Sequence, residues 1–231
     1  APPPYELEPG SVPKPGELPA FLRQPARYFF RRRLGVVFAD AAVVGEDEEP
    51  FSLDALERYF IEDHLLDDSG EPEALHAVRS TLNDRASRLA REGVLPIGLL
   101  GRQWQQELVE GLVPVRSAWL SLGARFPHAA PKRAVSLALN DAHGEHLVLD
   151  DWIDRLRTNG EETAWLMQVS SKVLDKEGRP RGDKLIKPWL RQLAASASGM
   201  PVAGHLVARD AVLTMAPLDP VEAAAMLHDL A

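Results

Sequence analysis

The sequence contains no cysteine, which excludes disulfide bonds, cysteine-ligated zinc and cysteine-ligated iron–sulfur clusters from this chain. Its apolar runs are far shorter than the roughly 20 residues that a membrane span needs, and its first residues lack the basic and apolar regions of a signal peptide. Positive charge is also scarce, with 26 Lys and Arg against 34 Asp and Glu. Phosphate binding needs concentrated cations, so the surface as a whole is unsuited to nucleic acid. These absences predict a cytoplasmic chain with no membrane partner and only local basic patches.

The sequence also lacks the motifs of common cofactor sites. No glycines have the GxxxxGK spacing or lie in a strand–GxGxxG–helix context, which excludes the usual ATP and dinucleotide loops. No GxSxG motif is present, so the serine nucleophile of that elbow is absent too. His143 and His146 lie three residues apart in a turn without a third ligand, which favours surface histidines over a metal role. We therefore predict neither a cofactor nor a bound metal.

What the chain does have is enough apolar sequence for a sizeable core, since 45% of its 231 residues are hydrophobic. Residues 1–17 hold six prolines and predict an extended tail. The remainder, 18–231, predicts one domain with a mainly helical part (18–130) and a β-sheet core with helices (131–231). Predicted helices cover Glu17 to Leu34 with a break at Pro25, and begin near Ser52, Pro72 and Leu99.

The apolar period shortens after Pro131, from about four residues to two. Strands are predicted at 134–139, from 147 with a possible continuation to 156, and at 164–170, with a hairpin turn at Asn159-Gly160. A helix over 183–198, a strand or hairpin at 205–213 and a last helix after Asp219 complete the chain. The order β-β-β-α-β-α predicts an α/β fold. Three tryptophans are predicted to face inward from helices: Trp104, Trp119 and Trp189.

One group of acidic residues suggests metal chemistry. Asp150, Asp151 and Asp154 precede the strand that ends with Gln168 and Ser170. Metal-dependent nucleases need several carboxylates converging on Mg²⁺ and a lysine near the attacking water. A neutral amide and a hydroxyl supply neither the negative charge nor the cation. Solvated acids at the end of a strand are the simpler interpretation.

Two basic segments could contact DNA. Residues 172–191 contain seven Lys or Arg and three Asp or Glu, and a second segment is a run of three arginines. A solvated face is the simpler interpretation, and a local phosphate contact is the alternative. The candidate DNA-binding residues are Arg31, Arg32, Arg33, Arg179, Arg181 and Lys184.

Three stretches carry a family resemblance. Residues 18–35 resemble the segment that opens the nuclease-like domain of RecB, AddB and RecC proteins. Residues 47–59 and 93–98 resemble the RecC family, the gamma subunits of exodeoxyribonuclease V. The resemblance implies a restriction-endonuclease-like (PD-(D/E)XK-type) αβββαβ core preceded by a helical subregion. Because the family's domain continues past the last helix, it also implies a fragment of a larger subunit.

The resemblance further implies a function. RecC proteins work with RecB and RecD on DNA ends and prepare them for homologous recombination, and their nuclease-like domain guides strands without catalysis. Asp154 matches the first acid of the active pattern, whereas Gln168 and Ser170 stand in the places of the later acid and the lysine. Gln24 stands where some AddB-type relatives have a cysteine for an iron–sulfur cluster, so no cluster is expected.

Two alternatives remain open. The chain could be an active Mg²⁺-dependent nuclease in which Lys172 or Glu162 supplies a displaced active-site group. It could also be a helical adaptor without a nucleic-acid role. Ordered Mg²⁺ or Mn²⁺ at Asp154 would favour the nuclease, and the absence of a nuclease-like sheet would favour the adaptor.

Overall fold

The computed structural model describes residues 18–36, 55–67, 74–96, 98–140 and 146–230. The predicted tail at 1–17 and His143 lie outside these residues. So does the acidic stretch Gly-Glu-Asp-Glu-Glu-Pro at 45–50, which the sequence predicts to be a surface loop. Five helices come first: α1 (Leu18–Arg23), α2 (Pro25–Arg33), α3 (Ala55–Leu66), α4 (Val78–Arg91, preceded by a 3₁₀ turn at Leu75–Ala77) and α5 (Gly98–Arg125). No helix in the described ranges is long and apolar enough to cross a membrane.

The helix boundaries follow local chemistry. The predicted break at Pro25 is confirmed, because α2 begins at Pro25, whose fixed φ and missing N–H suit the first turn of a helix. Helix α4 ends before Gly93, which has a φ of 78° and adopts the left-handed conformation that follows many helices. The apolar run Val36-Val37-Phe38 after Gly35 predicts a short strand. Val36 is not part of a strand, and the other two residues lie outside the described ranges.

Helices α3, α4 and α5 pack their apolar faces together. Fully buried residues from each helix form this first core, among them Leu65, Leu82, Leu108 and Leu112. The prediction that Trp104 lies in this core is wrong: its ring is only half-buried, and the Arg58 guanidinium lies 5.6 Å from its centre. Trp119 is also half-buried, but it packs against the core.

The C-terminal half contains two sheets rather than one. Strands β2 (Arg133–Asn140) and β3 (His146–Ile153) form an antiparallel hairpin of their own. The second sheet has five strands in the order β1-β4-β5-β6-β7. Its strands are β1 (His128–Ala129), β4 (Leu156–Thr158), β5 (Thr163–Gln168), β6 (Ala203–Val207) and β7 (Val212–Met215). Only β5 and β6 are parallel, and α6 (Gly182–Ala197) connects them.

The strand that could have run on to residue 156 breaks after Ile153, which corrects the prediction of one continuous strand. Asp154 and Arg155 separate β3 from β4, and Arg155 adopts a left-handed backbone with a φ of 55°. This conformation turns the chain from one sheet into the other. The predicted hairpin at Asn159-Gly160 is confirmed, since Gly160 has a φ of 99° and the Asn159 carboxamide accepts hydrogen bonds from two backbone N–H groups.

A second core lies between the five-stranded sheet and α6. Trp165 of β5 is fully buried there, and its indole N–H donates to the Gln192 side chain of α6 at 2.9 Å. The Gln192 amide in turn donates to Ser196 Oγ and to the Val202 carbonyl. The predicted burial of Trp189 is wrong, because this α6 residue is 38% exposed. Helix α7 (Pro220–Leu230) begins where the Asp219 carboxylate accepts backbone N–H bonds, as predicted, and packs on α6.

His205 of β6 should make stability depend on pH. Burial, and then the nearby Arg125 charge, lower the pKa of His205 below 6.5, although Glu162, which pairs with Arg125, opposes the shift. Below pH 6.5 His205 therefore binds a proton more readily in the unfolded chain than in the folded chain. Because of this difference, the free energy of unfolding falls as the pH falls. We expect the urea midpoint of the wild type to drop between pH 7.5 and 5.5 by more than that of His205→Gln. Parallel profiles would contradict this prediction.

Candidate functional site

A cleft of about 970 Å³ lies where α1, α3 and α6 meet the break between β3 and β4 and the end of β5. Helix α3 forms one wall. Its buried Glu62 accepts hydrogen bonds from Arg58 at 2.9 Å and from Arg209 of the β6–β7 turn at 2.7 Å. The bond from Arg209 ties the helical part of the chain to the five-stranded sheet. The cleft is therefore held between two well-anchored structural layers.

Asp154, the predicted first acid, lies on this cleft and is already neutralised. The Arg191 guanidinium of α6 forms an ion pair with the Asp154 carboxylate, and the same Nη1 atom donates to the Asp154 carbonyl at 3.0 Å. Arg191 also lies over the Trp165 ring, 5.9 Å from its centre, and its side chain is only 15% exposed. The Arg191 guanidinium is therefore held in place beside the Asp154 carboxylate.

Gln168 and Ser170 follow at the end of β5. The Gln168 amide donates to the Leu66 carbonyl at the end of α3, at 2.7 Å, so this side chain links the sheet to the helical wall. Ser170 is 1% exposed and does not line the cleft. Within the described residues, Gln168 Oε1 and Ser170 Oγ are buried without a hydrogen-bond partner. Neither residue brings negative charge or a cation to the site.

The remaining acids do not complete a metal site. Asp150 and Asp151 are exposed on β3, and Asp151 Oδ1 accepts the backbone N–H of Trp152 at 2.7 Å. Across the described part of the chain, no three His, Asp or Glu side chains are grouped so as to hold a metal ion. The cleft offers charged groups, hydrogen-bonding groups and exposed ring faces to a ligand.

The predicted DNA-binding residues are distributed over separate surfaces. Arg31 is exposed on α2, which also carries Arg32 and Arg33, and α2 does not line the cleft. Arg179 forms ion pairs with Asp175 and Glu177 in the loop before α6. Arg181 binds Asp183, and this hydrogen bond lowers the pKa of the Asp183 carboxyl. Among the four whose side chains the structure describes, namely Arg31, Arg179, Arg181 and Lys184, only Lys184 lines the cleft.

Sequence reasoning did not single out four cations that the structure places on the cleft: Arg23, Arg155, Lys187 and Arg191. A signal for Arg191 was present. Lys184, Lys187 and Arg191 have the three- and four-residue spacing that puts side chains on one face of a helix, and all three line the cleft. For Arg155, no pattern in the sequence indicated the left-handed backbone that presents it.

Comparison with known proteins places these features in a family context. The sequence matches the family described as the RecC C-terminal domain over residues 14–231. The RecBCD enzyme subunit RecC of Haemophilus influenzae is 22% identical over 214 residues, which is 91% of this chain. The chain spans only 17% of the length of that relative. The crystal structure of SSO0001 aligns at 13% identity with a TM-score of 0.31, over 78% of this chain and 87% of that one, which is too distant to support an argument.

Proposed function

The chain belongs to the RecC C-terminal domain family, and from that premise we propose that it is a non-catalytic scaffold and DNA-guiding domain. It would serve in the RecC subunit of the RecBCD helicase–nuclease, exodeoxyribonuclease V. In that setting it contributes to DNA end processing and double-strand-break repair by homologous recombination. Its proposed partners are the RecB and RecD subunits and DNA ends, and its proposed location is the cytoplasm.

The observation that carries the non-catalytic role is the ion pair between Asp154 and Arg191. A nuclease of the proposed class needs the first acid free to bind Mg²⁺, with a second acid and a lysine beside it. Here a guanidinium binds that acid, an amide stands where the second acid would be, and Ser170 stands where the lysine would be. One neutralised carboxylate holds Mg²⁺ poorly and leaves no group to activate water.

We extend the proposal to the finer fold, a PD-(D/E)XK-type core. Support comes from the antiparallel pairing of β4 with β5, the α6 connection and the parallel pairing of β5 with β6. In this arrangement Asp154 comes directly before β4, and Gln168 ends β5. The separate β2–β3 hairpin departs from a simple αβββαβ sheet, because the chain changes sheets at Asp154 and Arg155.

Neither alternative function gains support from the geometry. Glu162 lies in the β4–β5 hairpin in an ion pair with Arg125, and neither it nor Lys172 lines the cleft. These residues are therefore poorly placed to replace an active-site group. A purely helical adaptor does not fit a chain whose C-terminal half is built on two sheets.

We expect the purified chain to leave linear duplex and single-stranded DNA uncut in the presence of Mg²⁺ or Mn²⁺. The reason is the occupied Asp154 carboxylate and the missing second acid and lysine. The measurement is release of labelled nucleotides over time, with Asp154→Ala as the matched variant. Cleavage by the wild type that disappears in Asp154→Ala would refute the non-catalytic assignment.

The scaffold role needs a separate measurement. The full-length RecC relative and a version lacking the region equivalent to 18–231 should be compared for capture of RecB and RecD. We expect the truncated protein to capture at least one partner less well. Equal capture of both partners would remove the scaffold role and leave the DNA-guiding role to be judged by DNA binding alone.

A further inference from the structure

We propose that the cleft binds a single strand of DNA, with its phosphates on Arg155, Lys184 and Lys187 and its bases against Trp152 and Tyr59. This inference rests on the proposed function and gives it a location. The site differs from the surfaces that the sequence suggested, since it shares only Lys184 with them. All five side chains line the same cleft.

The first support is cationic charge that is not used elsewhere. Arg23, Arg155 and Lys187 line the cleft and form no ion pair with any residue in the described ranges. Lys184 lies near Asp183, but Arg181 already holds that carboxylate through two hydrogen bonds. By contrast, Arg191 neutralises Asp154. Phosphate oxygens are the natural partners for the cations that remain.

The backbone at Arg155 is the second support. Arg155 is the only non-glycine residue with a positive φ in the part of the chain that the structure describes. Its carbonyl accepts the backbone N–H of Leu166, so the conformation is held by the neighbouring strand. Left-handed backbone is unfavourable for a long side chain and is concentrated at functional sites. Here it presents an exposed guanidinium at the mouth of the cleft.

Exposed rings favour a single strand over a duplex. Trp152 of β3 is 51% exposed and Tyr59 of α3 is 41% exposed, and both line the cleft. Lys132 lies 4.5 Å from the centre of the Trp152 ring, which adds a cation beside this surface. Bases can stack on such rings only when they are unpaired, and ring stacking combined with a cationic groove is typical of single-strand binding.

Two carboxylates in the cleft would repel a DNA strand, so replacing them tests whether DNA binds there. Asp63 and Asp151 are exposed, line the cleft and form no ion pair with the other described residues. A DNA strand in the cleft would be repelled by both. Replacing them by asparagine should tighten DNA binding, whereas a cleft without DNA would be indifferent to the change.

The experiment measures fluorescence anisotropy of labelled oligothymidylate, about 12 nucleotides long, against the full 231-residue chain across a salt series. The cleft variant is Arg155→Asn/Lys187→Ala, because asparagine tolerates the left-handed backbone. We expect its salt slope to lose about 1.4 in magnitude, or about 0.7 for each phosphate contact. Trp152→Ala should weaken binding by about fivefold or more, and Asp63→Asn/Asp151→Asn should strengthen it.

The matched control is Arg88→Ala/Arg91→Ala, which removes the same charge from exposed positions on α4 outside the cleft. We expect it to bind like the wild type. No binding by the wild type at low salt, an equal loss in the control, or equal binding of a duplex of the same length would each overturn the inference. A cleft variant that still captures RecB and RecD but no longer binds DNA would support the inference. A wild-type chain that captures both subunits without binding DNA would overturn the DNA-site inference and leave the proposed scaffold role standing.

Discussion

Trp165→Ala is expected to lower the free energy of unfolding by about 3–5 kcal/mol, the usual cost of truncating a buried aromatic residue. Trp165 is fully buried between β5, β6 and α6, and it donates the hydrogen bond that begins the Gln192 network. The substitution both opens a cavity and leaves the Gln192 oxygen without its donor. For a chain of this size the melting temperature should fall by roughly 6–20 °C, measurable by circular dichroism.

Trp104→Ala is the matched control for this experiment. From the sequence alone, Trp104→Ala would be expected to unfold or strongly destabilise the chain. The structure predicts a smaller effect, because the ring is half-buried and is covered partly by a charged side chain. We expect Trp104→Ala to lose less than half the stability lost by Trp165→Ala. A larger loss in Trp104→Ala would mean that the Trp104 ring contributes more to the free energy of unfolding than its half-buried position indicates.

Gly204→Ala should also be strongly destabilising. An added Cβ at this position would lie 2.0 Å from the Trp165 ring, which cannot withdraw because it is enclosed on all sides. Overpacking a core costs about 1–3 kcal/mol and occasionally more. Displacement of the ring would also break its hydrogen bond to Gln192. Chemical denaturation of the variant should therefore show a clearly lower midpoint.

Gly123→Ala provides a control of opposite sign. Gly123 lies inside α5, and an added Cβ there would meet no atom within 4 Å. Alanine is favoured over glycine in a helix by about 1 kcal/mol, so this variant should be as stable as the wild type or more stable. If both glycine variants lost similar stability, the close approach of Gly204 to Trp165 would not be the cause.

Sequence reasoning succeeded where structure is set by neighbouring residues. Pro25 marks the start of α2 because proline suits the first turn of a helix, and Asn159-Gly160 marks a hairpin because glycine accepts a positive φ. Asp219 marks the start of α7 because its carboxylate accepts the first free N–H groups. Each of these predictions depended only on groups within a few residues of one another.

It failed where the outcome depends on residues far apart in the chain. Arg191 meets Asp154 across 37 residues, and Gln168 meets Leu66 across 102 residues. Periodicity placed Trp104 on the inner face of α5 but could not show that α3 presents Arg58 rather than an apolar side chain there. The change of sheet at Asp154 and Arg155 likewise depends on which strand each segment pairs with.

The ion pair between Arg191 and Asp154 has a consequence for how substitutions combine in the course of evolution. A metal site of the proposed nuclease type would require an acid in place of Gln168, a lysine in place of Ser170 and removal of Arg191. Removing Arg191 first leaves a carboxylate without its counter-ion, and adding an acid first gives a strand end that has lost its hydrogen bond to Leu66. Because substitutions at contacting residues have non-additive effects, we expect each single variant to be less stable than the triple variant. A chain that carries this pair would therefore gain a metal site only if several contacting residues changed together.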